Sequence, residues 1–176
     1  MAFFKEELKQ VKAFIFDVDG VLSMDTTPLN KEGDLVRTAN VKDGFAIRNA
    51  LMNNFEVAII TGGFVERVKL RYQKLGVKYY YENIRDKMEC LKDFLEKTNI
   101  EPKNILYMGD DLVDYEIMKN IGIPTCPVDA VTEIKEISKY ISDKKGGEGC
   151  VRDVIEQVMR AHGNWMDSDA YYLRST

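Results

Sequence analysis

Residues 14–20 read FIFDVDG, an apolar run that ends on two carboxylates, Asp17 and Asp19. Residues 106–111 read LYMGDD and end in the same way, with two acidic residues directly after the apolar part. Continuous apolar runs of this length are typical of parallel strands that are buried on both faces. Because the carboxyl ends of parallel strands meet at one edge of a sheet, we expect both acidic groups to lie at that edge, where such sheets bind ligands.

The rest of the chain alternates between strand-like and helix-like segments. Apolar runs bounded by Gly, Asp or Pro predict strands at residues 12–16, 56–60, 77–81, 104–108, 123–126 and 139–142. Apolar residues at spacings of three and four predict helices at residues 44–53, 64–75, 86–98, 112–120 and 151–161. This alternation predicts an α/β sandwich with a mainly parallel sheet.

Two segments depart from the alternation. Residues 22–29 and 34–39 flank a polar turn at 30–33, which predicts a β-hairpin that projects from the ligand-binding face. We expect residues 1–162 to form one domain and residues 163–176 a C-terminal tail. The tail is polar but contains Trp165, Tyr171, Tyr172 and Leu173, so it either docks, on this chain or a neighbouring subunit, or is a loose terminus.

The composition is that of a soluble globular protein of one domain, with 176 residues, 45% of them hydrophobic and 31% charged. A net charge of −4 without a dense Lys/Arg run argues against nucleic-acid binding. Cys90, Cys126 and Cys150 are widely spaced, which favours reduced thiols. No apolar run approaches the ~20 residues of a membrane helix, and residues 1–10 do not resemble a signal peptide, so we expect a cytoplasmic protein without membrane contact.

The acidic residues predict phosphoryl transfer. Asp17 is a candidate nucleophile that would form an aspartyl phosphate, and Asp19 a candidate general acid and then base. Oxygen ligands without His or Cys suit a hard ion, most often Mg²⁺, which Asp110 would bind with support from Asp111 and Asp114.

Two further sites supply candidate phosphate ligands. Thr61 ends the second predicted strand, and Gly62 and Gly63 follow with accessible backbone amides, while Lys87 opens a predicted helix. Each feature alone has an ordinary structural role, as a turn, a surface charge or a helix cap. Their occurrence in order, each at the end of its own strand or at the start of the next helix, distinguishes them from such roles.

Together these residues resemble the haloacid dehalogenase-like superfamily of phosphotransferases. The resemblance is carried by DVDG at 17–20, Thr61, Lys87, and GDD at 109–111 with Asp114. It implies a Rossmann-like three-layer sandwich, an aspartyl phosphate on Asp17, and Mg²⁺ bound by Asp17, Asp110 and the backbone carbonyl of Asp19. The intervals 20–60 and 88–109 are too short for a separate cap domain, so the site must either accept a macromolecule or borrow a lid from another subunit.

Three further stretches are similar to the subfamily of 3-deoxy-D-manno-octulosonate (KDO) 8-phosphate phosphatases: NVKDGFAIR at 40–48, VAIITG at 57–62 and GGEGCVRD at 146–153. This similarity implies removal of phosphate from an acidic eight-carbon sugar on the way to lipopolysaccharide. It also implies a homotetramer in which hairpins form a central barrel and a neighbour helps to cover each site. Arg48 and the loop around Gly147 would then lie near the substrate.

The residue after Thr61-Gly62 leaves the length of the sugar open. Relatives often carry Arg where this chain has Gly63, and a sister group that acts on a nine-carbon sugar acid carries Glu there, with Lys at the position of Lys74. Three other functions remain to be weighed: a response-regulator receiver domain, a non-catalytic regulatory relative, and a phosphatase of phosphoprotein or nucleic acid. The early position of the DxD pair, the intact Asp17 and Asp19, and the acidic charge respectively disfavour them.

Overall fold

The computed structural model of the chain describes residues 6–64 and 66–166, in which six strands form a single sheet. The strands are β1 (Ala13–Phe16), β2 (Glu56–Ile60), β3 (Tyr79–Tyr81), β4 (Ile105–Met108), β5 (Ile123–Cys126) and β6 (Tyr140–Ile141). Their order across the sheet is β3-β2-β1-β4-β5-β6, and every neighbouring pair is parallel. The predicted α/β fold with a mainly parallel sheet is confirmed.

Helices cover both faces of this sheet. They are α1 (Val41–Met52), α2 (Glu66–Lys74), α3 (Lys87–Thr98), α4 (Tyr115–Lys119), α5 (Thr132–Ile137) and α6 (Cys150–His162). Phe14 and Phe16 point to the face that packs against α1 and α6, whereas Ala13 and Ile15 point to the face that packs against α3, α4 and α5. The three layers therefore follow from the two-residue periodicity of strands that are apolar on both faces.

The register of the central strands brings the acidic stretches together. Phe16, the last residue of β1, pairs with Ile59 of β2 and with Met108 of β4. Asp17 therefore leaves the sheet beside Gly109, and Asp110 follows at once. Because the connections from β1 and from β4 run to opposite sides of the sheet, this edge is the crevice in which such folds bind ligands.

The predicted hairpin is much shorter than expected. The chain reverses direction at 30–33, but 22–29 and 34–39 contribute only one antiparallel bridge, between Leu29 and Leu35, with a Val36 to Pro28 backbone hydrogen bond of 2.8 Å. The predicted strands 22–29 and 34–39 were thus too long. Leu22 is buried in the core, but Leu29, Leu35 and Val36 are exposed, so little in the described chain packs against this end of the segment to extend the pairing.

Smaller differences concern the second half of the chain. The predicted helix 112–120 is a 3₁₀ turn, Leu112–Asp114, followed by the short α4, and α5 was not predicted at all. In the tail, Trp165 is buried edge-on against Phe45 and under the guanidinium of Arg152, so this residue docks on its own chain. Tyr171, Tyr172 and Leu173 lie outside the described residues. None of the helices within 6–64 and 66–166 has the length and apolar character needed to cross a membrane.

Candidate active site

A buried ion cluster lies where β1, α3 and the turn after β4 meet. Asp86 caps α3, accepting a hydrogen bond from the backbone N–H of Met88 at 2.8 Å, and this cap sets Lys87 as the first helical residue. The Nζ atom of Lys87 is 2.9 Å from Asp17 Oδ2 and 2.6 Å from Asp114 Oδ1. Burial disfavours the ammonium, but the two carboxylates outweigh it and raise the pKa of Lys87. Lys87 therefore stays charged.

Asp114 organises this cluster from beneath. It is fully buried, and its Oδ1 accepts hydrogen bonds from Lys87 and from the Tyr107 hydroxyl at 2.5 Å. Its Oδ2 accepts the backbone N–H groups of Asp110, at 3.1 Å, and Asp111, at 3.5 Å. Since both oxygens are used inside the fold, Asp114 fits the supporting role better than that of a direct metal ligand. Sequence analysis missed Tyr107, because a tyrosine within an apolar strand gives no signal of its polar contact.

The site has the chemistry of a hard-cation site. Oxygens of Asp17, Asp110 and Asp114 all lie within 4.8 Å of one another. Desolvation by burial, with the nearby charge of Asp114, raises the pKa of Asp17 to about 7 and that of Asp110 to about 8. The Oδ1 atom of Asp110 is buried and has no hydrogen-bond partner. An uncompensated carboxylate in such a cluster fits a divalent ion with oxygen ligands, as Mg²⁺ requires.

Gly20 permits the acidic stretches to approach this closely. A Cβ atom at this position would lie 2.0 Å from Asp110 Oδ2, and the backbone φ is +77°, a conformation that L side chains rarely adopt. The glycine after the DxD pair is therefore required by the side chain of the second motif, which passes directly over it.

Asp19 lies at the opening of the site and is paired with a residue that no sequence pattern indicated. Arg37, from the segment 22–39, donates from Nε to Asp19 Oδ1 at 2.7 Å and from Nη2 to Oδ2 at 2.8 Å. Both carboxylate oxygens are engaged by one planar guanidinium, the geometry in which such pairs are strongest. A charged residue in a polar, exposed segment has no periodicity or spacing that could have identified it.

The loop after β2 lies beside this cluster and forms part of the cavity wall. Thr61 is buried, and its hydroxyl accepts a hydrogen bond from the Gly63 N–H at 3.0 Å while keeping its own proton available for donation. Gly62 and Gly63 both line the cavity. The cavity measures about 310 Å³, and its lining residues are Asp17, Asp19, Asp25, Arg37, Gly62, Gly63, Ile84, Arg85, Lys87, Asp110, Asp111 and Val113.

Comparison with known proteins identifies the family. A model of the haloacid dehalogenase-like hydrolase family matches residues 81–155. The 3-deoxy-D-manno-octulosonate 8-phosphate phosphatase KdsC of Salmonella typhi is 37% identical over 155 residues, which cover 88% of this chain and 82% of that protein. The chain belongs to the KDO 8-phosphate phosphatase family.

Solved structures of KDO 8-phosphate phosphatases share the fold over nearly the whole chain. The enzyme from Moraxella catarrhalis, in complex with a magnesium ion, a phosphate ion and a KDO molecule, is 31% identical with a TM-score of 0.89 and covers 97% of both chains. That from Yersinia pestis is 29% identical with a TM-score of 0.88, covering 92% of this chain and 87% of its own.

Of the residues that the sequence predicted to lie near the substrate, only some line the cavity. Gly63 does, but Arg48, half-buried on α1, and Lys74, exposed at the end of α2, are not among its lining residues. Gly147 lies behind the turn that follows Asp19, where its N–H donates to the carbonyl of Val21 at 2.8 Å. Within one chain, Gly147 thus supports the turn rather than facing the cavity.

Proposed function

We propose that this protein is a cytoplasmic, Mg²⁺-dependent phosphatase that hydrolyses KDO 8-phosphate on the way to lipopolysaccharide. The observation that carries the proposal is the buried contact of Asp17 with Lys87, beside a second carboxylate, Asp110, that has an unpaired oxygen. The carboxyl end of the sheet thus combines a nucleophile, a fixed cation and a carboxylate oxygen that is free to bind a metal ion. This combination suits attack on a phosphate ester. The KDO and magnesium bound to the Moraxella catarrhalis relative support the choice of substrate and cofactor.

The reaction divides between Asp17 and Asp19. A carboxylate oxygen of Asp17 attacks phosphorus, the bond from phosphorus to the sugar oxygen breaks, and Asp19 gives its proton to the departing alkoxide. Asp19 then takes a proton from water, which attacks the aspartyl phosphate, so that inorganic phosphate leaves and Asp17 is regenerated. The backbone N–H of Val18 donates to Asp17 Oδ1 at 2.6 Å, which orients the carboxylate and leaves Oδ2 toward Lys87.

The remaining residues hold the phosphoryl group. Lys87 and Thr61 would donate to its oxygens, together with the backbone N–H of Gly62. Asp17, Asp110 and the backbone carbonyl of Asp19 would hold Mg²⁺, which when bound neutralises charge on the phosphoryl oxygens and on the acidic cluster.

Comparison of kcat/KM for eight- and nine-carbon keto-deoxy sugar acid phosphates tests the proposal, with Mg²⁺ present and after chelation. We expect the eight-carbon ester to have the higher kcat/KM, and chelation to abolish turnover of both. A higher value for the nine-carbon ester would assign the chain to that substrate instead. Turnover that survives thorough chelation would contradict the metal assignment.

We also infer a homotetramer assembled through the segment 22–39 and the start of α1. Leu29, Leu35, Val36 and Val41 have exposed fractions of 63%, 42%, 46% and 77%. Apolar side chains so exposed on one short segment are typical of an interface between subunits. We expect Leu29→Asp to lower the molar mass measured by light scattering during gel filtration, while Met52→Asp, at an exposed apolar position at the end of α1, leaves it unchanged.

A further inference from the structure

The Arg37–Asp19 ion pair is not explained by the proposed mechanism. Asp19 must meet the leaving oxygen of the substrate, yet both of its carboxylate oxygens contact Arg37, at 2.7 and 2.8 Å. The side chain of Arg37 is only 10% exposed, whereas that of Asp19 is 41% exposed toward the cavity. Arg37 is therefore held in place at the cavity wall. It occupies the two oxygens that Asp19 needs in order to act as a proton donor.

The absence of a side chain at residue 63 makes room for this pair. A Cβ atom on Gly63 would lie 2.4 Å from Nη2 of Arg37 and 3.5 Å from Oδ2 of Asp19. Any larger residue would displace the guanidinium, which is the flexible end of its side chain, without disturbing the backbone. The position of the Arg37 guanidinium therefore depends on the glycine at residue 63.

The charges that line the cavity make Arg37 a candidate to bind a carboxylate of the substrate. Among the residues that line it, the cations are Arg37, Arg85 and Lys87, and Lys87 is committed to Asp17 and Asp114. A sugar acid phosphate brings a carboxylate in addition to its phosphate, into a cavity that already contains several aspartates. That carboxylate requires a cation beyond the phosphate site, and a guanidinium binds carboxylates through two parallel hydrogen bonds.

We propose that Arg37 recognises the carboxylate of the substrate and, by moving to it, releases Asp19. Without substrate, Arg37 rests on Asp19; a sugar acid phosphate exchanges one carboxylate for another on the same guanidinium, with no change in charge or covalent bonding. Asp19, no longer paired, then takes a proton from water and gives it to the leaving alkoxide. A neutral sugar phosphate leaves Arg37 on Asp19 and reacts slowly. This inference rests on the proposed function and assigns its preference for acidic substrates to Arg37.

The test compares two esters of primary alcohols, KDO 8-phosphate and a neutral hexose 6-phosphate. We expect Arg37→Ala to lower kcat/KM for the acidic ester by about 10- to 100-fold, the effect of losing a charged hydrogen-bonded pair. For the neutral ester we expect a rise of about threefold or more, since Asp19 is no longer occupied. Arg37→Lys, which keeps the charge but not the planar fork, gives an intermediate ratio. Gly63→Ala, which dislodges Arg37, shifts the ratio in the same direction by a smaller factor.

The matched control is Arg160→Ala, which removes one positive charge from an exposed side chain at the end of α6 and leaves both kcat/KM values unchanged. Equal losses on the two esters in Arg37→Ala would reduce Arg37 to a structural role and overturn the proposal. So would an unaltered ratio, or a ratio that changes in Arg85→Ala instead. Absence of any turnover that depends on Asp17 would overturn the proposed function itself, and this inference with it.

Discussion

The floor and the rim of the cavity are built differently. The floor, comprising Asp17, Lys87, Tyr107 and Asp114, is buried, and every charge in it is fixed by contacts within the chain. The rim, comprising residues 22–39 and 111–113, is largely exposed. Asp17 directly follows β1, Tyr107 lies in β4 and Lys87 opens α3, so the floor is held by the same buried elements that form the core. We therefore infer that the chemistry of the site depends on the buried fold, and that substrate selection depends on an exposed segment with few contacts to it.

Replacement of the nucleophile should give the largest effect in the floor. Asp17→Asn keeps the shape of the side chain but removes the attacking oxygen anion, so we expect kcat to fall by about 10³-fold or more. The measurement is phosphate release at saturating Mg²⁺, with thermal unfolding as a check that the fold survives. Turnover close to that of the wild type would mean that water attacks phosphorus directly, without a covalent intermediate.

Removal of Lys87, the cation of the floor, should give the second-largest effect, a loss of stability. Lys87→Ala leaves the buried carboxylates of Asp17 and Asp114 without their shared cation, which we expect to cost about 3–5 kcal/mol of the free energy of unfolding. Urea unfolding at neutral pH measures this loss. Lys97→Ala is the matched control, because its pair with Asp93 is exposed to solvent and its removal should leave the free energy of unfolding nearly unchanged. Similar losses in the two variants would remove the distinction between a buried floor and an exposed surface.

The pH dependence of metal binding should be intermediate in size. Without metal, Asp17 and Asp110 have pKa values of about 7 and about 8, above the ordinary 3.8, so the folded protein binds protons more tightly than the unfolded chain. Their contribution to stability is therefore complete only below the ordinary pKa of 3.8, and it is lost as the pH rises through about 7 and about 8. Mg²⁺ binds the ionised carboxylates, so its apparent affinity should increase by about tenfold or more from about pH 6 to about pH 8.

Isothermal titration of Mg²⁺ at several pH values measures this dependence, with Asp110→Asn as the comparison. The variant keeps Asp17 but loses the group with the higher pKa, so both its affinity and the pH dependence of that affinity should decrease. An affinity for Mg²⁺ in the wild type that does not change across this range would show that the carboxylates are already ionised without metal.

The smallest effect is expected at the rim. Thr38 Oγ1 accepts the backbone N–H of Met24 at 3.0 Å and lies 3.3 Å from the Ser23 hydroxyl, contacts that tie the two arms of the segment 22–39 together. Thr38→Val keeps the volume but loses these bonds, and we expect a loss of about 1 kcal/mol or less in the free energy of unfolding, with kcat unchanged. A loss comparable to that of Lys87→Ala would mean that the rim is as rigid as the floor.

The comparison of floor and rim also shows which features the sequence could predict and which it could not. The strand ends, the parallel sheet and the gathering of Asp17, Asp110 and Asp114 at one edge followed from apolar runs with acidic endings. The place of Lys87 followed from its position at the start of the helix after the third strand. The roles assigned to these residues in catalysis stay predictions. Tyr107 was missed because one hydroxyl in an apolar run has no pattern.

Other features depend on contacts between parts of the chain that the sequence does not connect. The pairing of Arg37 with Asp19 depends on the space above Gly63, which no local spacing reveals. The predicted strands around 30–33 proved too long, since strand propensity does not supply a partner strand. The short helix α5 was missed because six residues are too few for a helical periodicity to stand out.

The turn that carries Asp17 and Asp19 is braced from the far end of the chain. Gly146 packs so closely on it that a Cβ there would lie 2.0 Å from the carbonyl oxygen of Gly20, and the Cys150 thiol donates to the carbonyl of Val21 across 129 residues of sequence. During synthesis, the amino-terminal strands leave the ribosome well before this brace exists. A nascent chain should accordingly remain inert toward phosphate esters until α6 has emerged, so that catalytic competence waits for the segment 146–150.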